Sequence, residues 1–340
     1  MLLAIALVAA LTGSLYAGDY HWGATLMCSD CHVMHYSQSH GYNSGGGGIW
    51  TNLGSDGPYA YLLRNHENDL CLTCHDGQTF APDVFGTNTG SAVRMAGALN
   101  RDDVAPYNDE HGHTLGSTAT PPGGTWTPDP DDGLTCVNCH HPHGYAGNFG
   151  IANPYRNLSP NSGGGSHPMP DYAVGSNDLT KDVFERVSGG GTHYDISNID
   201  FNEPDQTASA YADWCKSCHT NFHGLRGGPE VGGTATGEWV RHPQSDANIG
   251  ALTGGHSSKS RFVLDGVWPK VMTATENWQP TNSNDVTDHT PSCFSCHKSH
   301  GNQNAFGLLF LGSTLPVTEE GTSGGQYRDT CRQCHSQGGA

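Results

Sequence analysis

The chain has 340 residues and a formal charge of −18, with 35% hydrophobic residues, 14% charged residues and 47 glycines. Both fractions fall below those of ordinary domains, roughly 45–50% apolar and about 25% charged, and so much glycine weakens helices and strands. This excludes a fold built on aliphatic side chains alone, and the acidic balance excludes a nucleic-acid-binding role. The 13 Tyr, 7 Trp and 10 Phe exceed what disordered segments carry, so something other than polypeptide is expected to supply the core.

In chain order, residues 1–17 (MLLAIALVAALTGSLYA) read as the apolar and cleavage regions of a secretory signal peptide. The run is too short to span a bilayer comfortably. No Lys or Arg precedes it and Leu15 suits the −3 position poorly, so an uncleaved anchor is the alternative to cleavage near Ala17. Residues 18–340 then form a single elongated unit, with no clear internal boundary and no membrane span. Six copies of Cys-x-x-Cys-His follow: Cys28/Cys31/His32, Cys71/Cys74/His75, Cys136/Cys139/His140, Cys215/Cys218/His219, Cys293/Cys296/His297 and Cys331/Cys334/His335. They are irregularly spaced. The stretches between them are loop-like, glycine-rich at 44–48, 161–165 and 188–191 and rich in Pro, Gly and Asp at 121–133. None carries the Gly-Lys-Ser/Thr ending of a phosphate loop. Acidic 129–132 is better read as solvated charge than as a calcium loop. Helices are expected to be short and close to the motifs, with 178–187 and 207–218 as candidates, and 306–311 as a short strand or buried loop.

The motifs use all 12 cysteines, where composition alone would give about 0.03 matches by chance. Zinc would need four ligands per site and would not require the histidine. A disulfide framework would not be this uniform, and thioredoxin-like pairs come once per domain. The pattern is that of c-type haem attachment. Two thiols three residues apart reach the two vinyl groups of one haem as thioethers, and the next histidine becomes the proximal ligand of its iron. Six covalently bound haem c groups are expected, with His32, His75, His140, His219, His297 and His335 as proximal ligands. The fold class that follows is mostly irregular coil with short α-helices and few β-strands, organised around a continuous haem stack. Attachment of haem c normally takes place outside the cytoplasmic membrane, in keeping with export.

Six distal ligands are then required, and seven histidines stand out for them: His21, His35, His113, His143, His223, His242 and His300. His35, His143, His223 and His300 each follow a proximal histidine within one turn. Each lies on the same side of its own porphyrin as that neighbour, so each should ligate a different haem packed close by. His40, His66, His111, His141, His167, His193, His256 and His289 read as loop histidines. Met27, Met34, Met95, Met169 and Met272 read as packing residues rather than thioether ligands. The haem propionates should draw in arginines, with Arg94, Arg241 and Arg328 among the candidates.

These residues resemble the extracellular hexahaem cytochromes of the OmcS type, which polymerise into conducting filaments. The resemblance covers essentially the whole mature chain. It rests on Tyr20-His21 with Cys28-Ser-Asp-Cys31-His32-Val-Met-His35, and on Gly112-His113, Pro122-Gly123-Gly124-Thr125 and Cys136-Val-Asn-Cys139-His140-His-Pro-His143-Gly144. It rests further on Trp214-Cys215-Lys-Ser-Cys218-His219-Thr-Asn-Phe-His223 with Arg241-His242-Pro243, on Cys293-Phe-Ser-Cys296-His297-Lys-Ser-His300 and on Arg328-Asp-Thr-Cys331. Firm counterparts are lacking at 76–110 and 244–290. The resemblance implies bis-histidine ligation throughout, with His35 completing the haem held by Cys293, Cys296 and His297 of a neighbouring subunit.

The expected function is long-range extracellular electron transfer rather than catalysis, because two axial histidines leave no open iron position for a substrate. The expected form is a head-to-tail homopolymer at the cell surface, fed by upstream multihaem cytochromes and discharging to extracellular acceptors. A monomeric periplasmic or outer-surface shuttle, with His35 ligating in its own chain, is the alternative. A multihaem reductase with one open haem is a further one, against which all six motifs end in histidine.

Overall fold

The computed structural model describes residues 21, 26, 28–32, 59–78, 81–85, 96–100, 111–143, 158–159, 162–164, 186–187, 194–195, 210–220, 270–273, 289–302, 304–309 and 330–331. The stretch read as a signal peptide lies outside them. Regular structure is sparse and short. The helices are α1 (Cys28–Cys31), α2 (Glu67–His75), α3 (Ala210–Cys215) and α4 (Cys293–Cys296), with 3-10 turns at Ala60–Leu62, Cys136–Asn138, Ser162–Gly164 and Ala305–Gly307. Two antiparallel pairs complete the set, β1 (Arg186–Val187) with β2 (Tyr194–Asp195), and β3 (Val271–Thr273) with β4 (His289–Pro291). The architecture matches the expected class of coil with short helices and few strands. No helix among the described residues is long and apolar enough to cross a membrane.

The placement of the helices follows from the motifs. A backbone N–H of the motif histidine donates to the first cysteine's carbonyl in His32→Cys28 (2.8 Å), His140→Cys136 (2.9 Å), His219→Cys215 (3.0 Å) and His297→Cys293 (2.9 Å). One α-turn therefore places both sulfurs on a common face, as residues three apart on a helix must be. α2 is the longest of the described helices. Glu67 and Asp69 occupy its first turn, where the helix dipole favours negative charge.

One expectation is corrected. The end of 178–187, read as helical, is strand: Arg186 and Val187 pair with Asp195 and Tyr194. A β-branched valine fits an extended pair better than a helix end. The candidate 207–218 does contain a helix, α3. In 306–311, a 3-10 turn is followed by Leu308 bridged to His297, and Leu309 is buried.

The buried set is small and mixed. Val271, Met272 and Leu309 are fully enclosed, but so are Lys270, Asn100 and Asn302. Both amide nitrogens have partners, as buried polar groups need, while Asn100 Oδ1 has none. Asn100 Nδ2 donates to the Gly112 carbonyl at 2.6 Å, and Asn302 Nδ2 to that of Leu308 at 3.0 Å. Met272 packs in β3, in line with its reading as a packing residue. Tyr211 of α3 meets Phe294 of α4 edge to face at 4.7 Å, tying the fourth motif to the fifth.

Three chain segments cross at Gly97, Gly112 and Gly301, joined by β-bridges between Gly301 and each of the other two. Ala98 N–H donates to Gly301 O, His300 N–H to Ala96 O and His113 N–H to His300 O, all within 2.8–2.9 Å. A Cβ on Gly97 would stand 1.8 Å from Gly301 O, and Gly97 has φ +89°. Gly97→Ala is therefore expected to cost about 2–4 kcal/mol through overpacking and backbone strain, read as a lower midpoint in guanidinium unfolding followed by tryptophan fluorescence. A midpoint unchanged within error would mean that the crossing is looser than these distances imply.

Candidate haem centres

The tertiary structure brings expected proximal histidines against expected distal ones. His21 faces His75 at a ring-centroid distance of 6.0 Å, His32 faces His143 at 5.7 Å, His113 faces His219 at 6.1 Å and His140 faces His300 at 6.1 Å. An iron between two axial imidazoles, with metal–nitrogen bonds of about 2.0 Å, sets ring centroids about 6 Å apart. The four pairs fit that group. No pair joins residues of one motif. His143 stands opposite His32 rather than its near neighbour His140, and His300 stands opposite His140 rather than His297. The motif-3 segment thus meets the first and fourth motifs, while the fifth supplies the third. His35, His223, His242 and His335 lie outside the described residues, as does Cys334.

A ring nitrogen of six of these histidines is tied to a backbone carbonyl. His32 Nδ1–H donates to Tyr61 O (3.0 Å), His75 to Pro82 O (3.0 Å), His219 to Pro122 O (3.0 Å) and His297 to Phe306 O (2.8 Å). On the distal side, His21 donates to Pro142 O (3.2 Å) and His113 to Ser299 O (2.8 Å). A carbonyl can only accept, so each imidazole carries its proton on Nδ1 and presents the Nε2 lone pair to a metal. Desolvation pushes His75, His113, His143 and His297 below the usual imidazole range. In His300, burial followed by the neighbouring His140, His113 and His75 lowers the value to about 3.

The sulfurs of successive motifs are also adjacent. Burial raises the Cys31 thiol to about 11, with Cys71 and Cys74 close enough to add to it. Burial raises Cys139 to about 12 beside Cys218, which itself rises to about 11. Cys71 shares a thiol hydrogen bond with Cys136 that pushes Cys71 up and Cys136 down. No disulfide joins the described cysteines. No three His, Cys, Asp or Glu side chains among the described residues converge as a bare-ion site.

No family model and no curated protein matches the chain. Two solved structures are similar to it. One is the outer membrane cytochrome S filament from Geobacter sulfurreducens, 19% identical, with 86% of this chain and 84% of that chain covered and a TM-score of 0.43. The other is a structure of OmcS nanowires from Geobacter sulfurreducens, also 19% identical, with 93% and 95% covered and a TM-score of 0.40.

Several residues that position the centres were not singled out from sequence. Thr135 with Asn138 and Ser292 with Ser295 form capping boxes on the third and fifth motif turns, so the residue before the second cysteine acts as a reciprocal cap. Ser295 Oγ also hydrogen-bonds the Lys270 carbonyl. Asn68 of α2 clamps the third motif, with Nδ2 donating to Leu134 O (3.1 Å) and Oδ1 accepting from Cys136 N–H (2.9 Å). Trp214 Nε1–H donates to Ser159 O (2.8 Å), joining the fourth motif to the return after the third. Buried cations beside the first and fifth motifs are Arg64, Lys270 and Lys298; Arg94, Arg241 and Arg328 lie outside the described residues.

A returning segment pairs with three of the motif histidines. Leu63, Leu158 and Leu308 bridge His32, His140 and His297. The next residue's N–H donates to the second cysteine's carbonyl, as Arg64→Cys31 (2.9 Å), Ser159→Cys139 (2.8 Å) and Leu309→Cys296 (2.7 Å). In the first and fifth motifs the return is made through left-handed backbone, at Tyr61 (φ 58°, ψ 22°) and Leu62 (φ 58°), and at Phe306 (φ 60°, ψ 21°) and Gly307 (φ 62°). Non-glycine residues held there cost on the order of 1–3 kcal/mol each.

Proposed function

We propose that the chain is a multihaem c-type cytochrome that carries electrons over long distances through six bis-histidine haem c groups. What supports this is the set of six Cys-x-x-Cys-His motifs together with four cross-motif histidine pairs spaced for a shared iron. The twelve motif cysteines would hold the haems as thioethers. His75 with His21, His32 with His143, His219 with His113 and His140 with His300 would complete four irons. His297 and His335 would take their partners from His35, His223 and His242. Each haem supplies reversible one-electron storage when bound. The chain's own residues would fix the spacing and fill both axial positions, and the carbonyls on Nδ1 of His21, His32, His75, His113, His219 and His297 would raise the basicity of the ligand nitrogen. With both axial positions occupied by protein, the role is electron transfer rather than catalysis.

We further propose that the subunits assemble head to tail outside the cell, with His35 of one subunit on the haem held by Cys293, Cys296 and His297 of the next. A contact of that kind does not close on itself and gives a filament. Upstream multihaem cytochromes would donate electrons and extracellular acceptors would take them.

The test is cryo-electron microscopy of material sheared from cells expressing the protein, at a resolution that shows axial ligands, alongside a haem-to-chain ratio from alkaline pyridine spectra. Filaments with six haems per chain and His35 on a neighbour are the expected result. Discrete particles with every axial ligand supplied in the same chain would overturn the polymer and leave a soluble carrier. A ratio far below six would overturn the cytochrome itself.

A further inference from the structure

The elbows at Tyr61 and Phe306 repeat one device at two distant places. In each, an aromatic residue sits at φ near +60°, an i-to-i+3 bond closes the turn (Leu63 N–H to Ala60 O at 3.2 Å; Leu308 N–H to Ala305 O at 3.3 Å), and the aromatic's carbonyl accepts the proximal imidazole's proton. Turns with two left-handed central residues normally take Asn-Gly or similar pairs; here they hold Tyr-Leu and Phe-Gly. The aromatic side chains do not account for the conformation by packing, since Tyr61 is 84% exposed and Phe306 59%. What the left-handed backbone achieves is direction. It turns one carbonyl back onto the histidine while Leu63 and Leu308, two residues on, remain in register with His32 and His297. His75 and His219, by contrast, use the carbonyls of Pro82 and Pro122.

We infer that Tyr61 and Phe306 are positioning residues whose left-handed backbone sets the hydrogen bond on His32 and His297, and through it the reduction potentials of the first and fifth haems. This rests on the function proposed above. A strong Nδ1–H···O bond makes the imidazole a better donor and favours ferric iron. Losing the elbow weakens the bond and raises the potential of that haem alone.

The test uses the whole haem-loaded protein with Tyr61→Val, Tyr61→Gly, Phe306→Val and Phe306→Gly. Valine resists positive φ, whereas glycine adopts it freely, and the exposed side chains leave no cavity when shortened. Haem content is measured first, then a redox titration resolved by low-temperature electron paramagnetic resonance. Each valine variant is expected to keep six haems and to shift one of them by about tenfold in ferrous-to-ferric ratio at fixed potential, 59 mV for one electron, with changed g-values. Each glycine variant is expected to titrate like the parent. Valine variants that titrate like the parent at full haem content would overturn the inference. So would glycine variants that shift as far as valine, because the side chain would then be the determinant. If one valine variant fails to mature, the same comparison at the other elbow decides. A parent protein without covalent haem would instead sink the function on which the inference rests.

Discussion

Produced in cells that cannot attach haem c, the chain is expected to be largely unfolded, with a coil-like far-ultraviolet circular dichroism spectrum, no cooperative thermal transition and rapid proteolysis. The described helices run from four to nine residues, below the roughly 12–15 at which isolated helices become even marginal. The enclosed side chains are few, and Lys270, Asn100 and Asn302 stand among the most deeply buried. Desolvation disfavours the charged form of the His113, His297 and His300 rings, and polar groups drawn away from water need their nitrogens engaged. Covalent haem would supply both the apolar surface and the second partner for each ring, so binding and folding should be one process, as in small metallo-domains. A haem-free chain that melts cooperatively, with native-like helix content, would refute this.

Removal of His300 gives the second large effect. In the haem-loaded protein, His300→Ala is expected to leave one iron of six without its distal ligand. The reduced protein should then bind about one carbon monoxide per chain where the parent binds none, and a high-spin ferric signal should appear. His300→Met should keep that iron six-coordinate and raise its potential by on the order of 0.1–0.2 V, within the roughly 0.8 V that axial ligands span. The ring lies 6.1 Å from His140, the spacing that a shared iron would set. A His300→Ala protein that binds no carbon monoxide and keeps six low-spin haems would remove His300 from the ligand set.

The parts legible in sequence were those that covalent chemistry fixes at short range. Two sulfurs and an imidazole must sit on one turn, so Cys28, Cys31 and His32 announce themselves by spacing alone, and the same turn appears wherever a motif is described. In the structure His143 stands opposite His32 and His300 opposite His140. Which motif each would reach was not legible, since it depends on tertiary packing, as in the crossing at Gly97, Gly112 and Gly301 that carries His300. The carbonyls on Nδ1 were equally hidden. They belong to backbone at Tyr61, Pro82, Pro122 and Phe306, and no side-chain type marks an acceptor oxygen. The strand at Arg186–Val187 was misread because a two-residue pairing carries no periodicity to distinguish it from a helix end.

On the export and haem ligation proposed above, the crossing of the histidine pairs would also order the protein's biogenesis. A chain leaving the cell amino end first exposes His21 before His75, so its first long-range pair can form as soon as the second motif emerges. His32 must wait for His143. His140 must wait for His300, by which point most of the polypeptide has crossed. His113, in contrast, is already outside when His219 arrives. Secretion would thus seal the cofactor sites out of numerical order, second, then first, then fourth, then third. A chain stalled or truncated before residue 300 would lack the ring that faces His140.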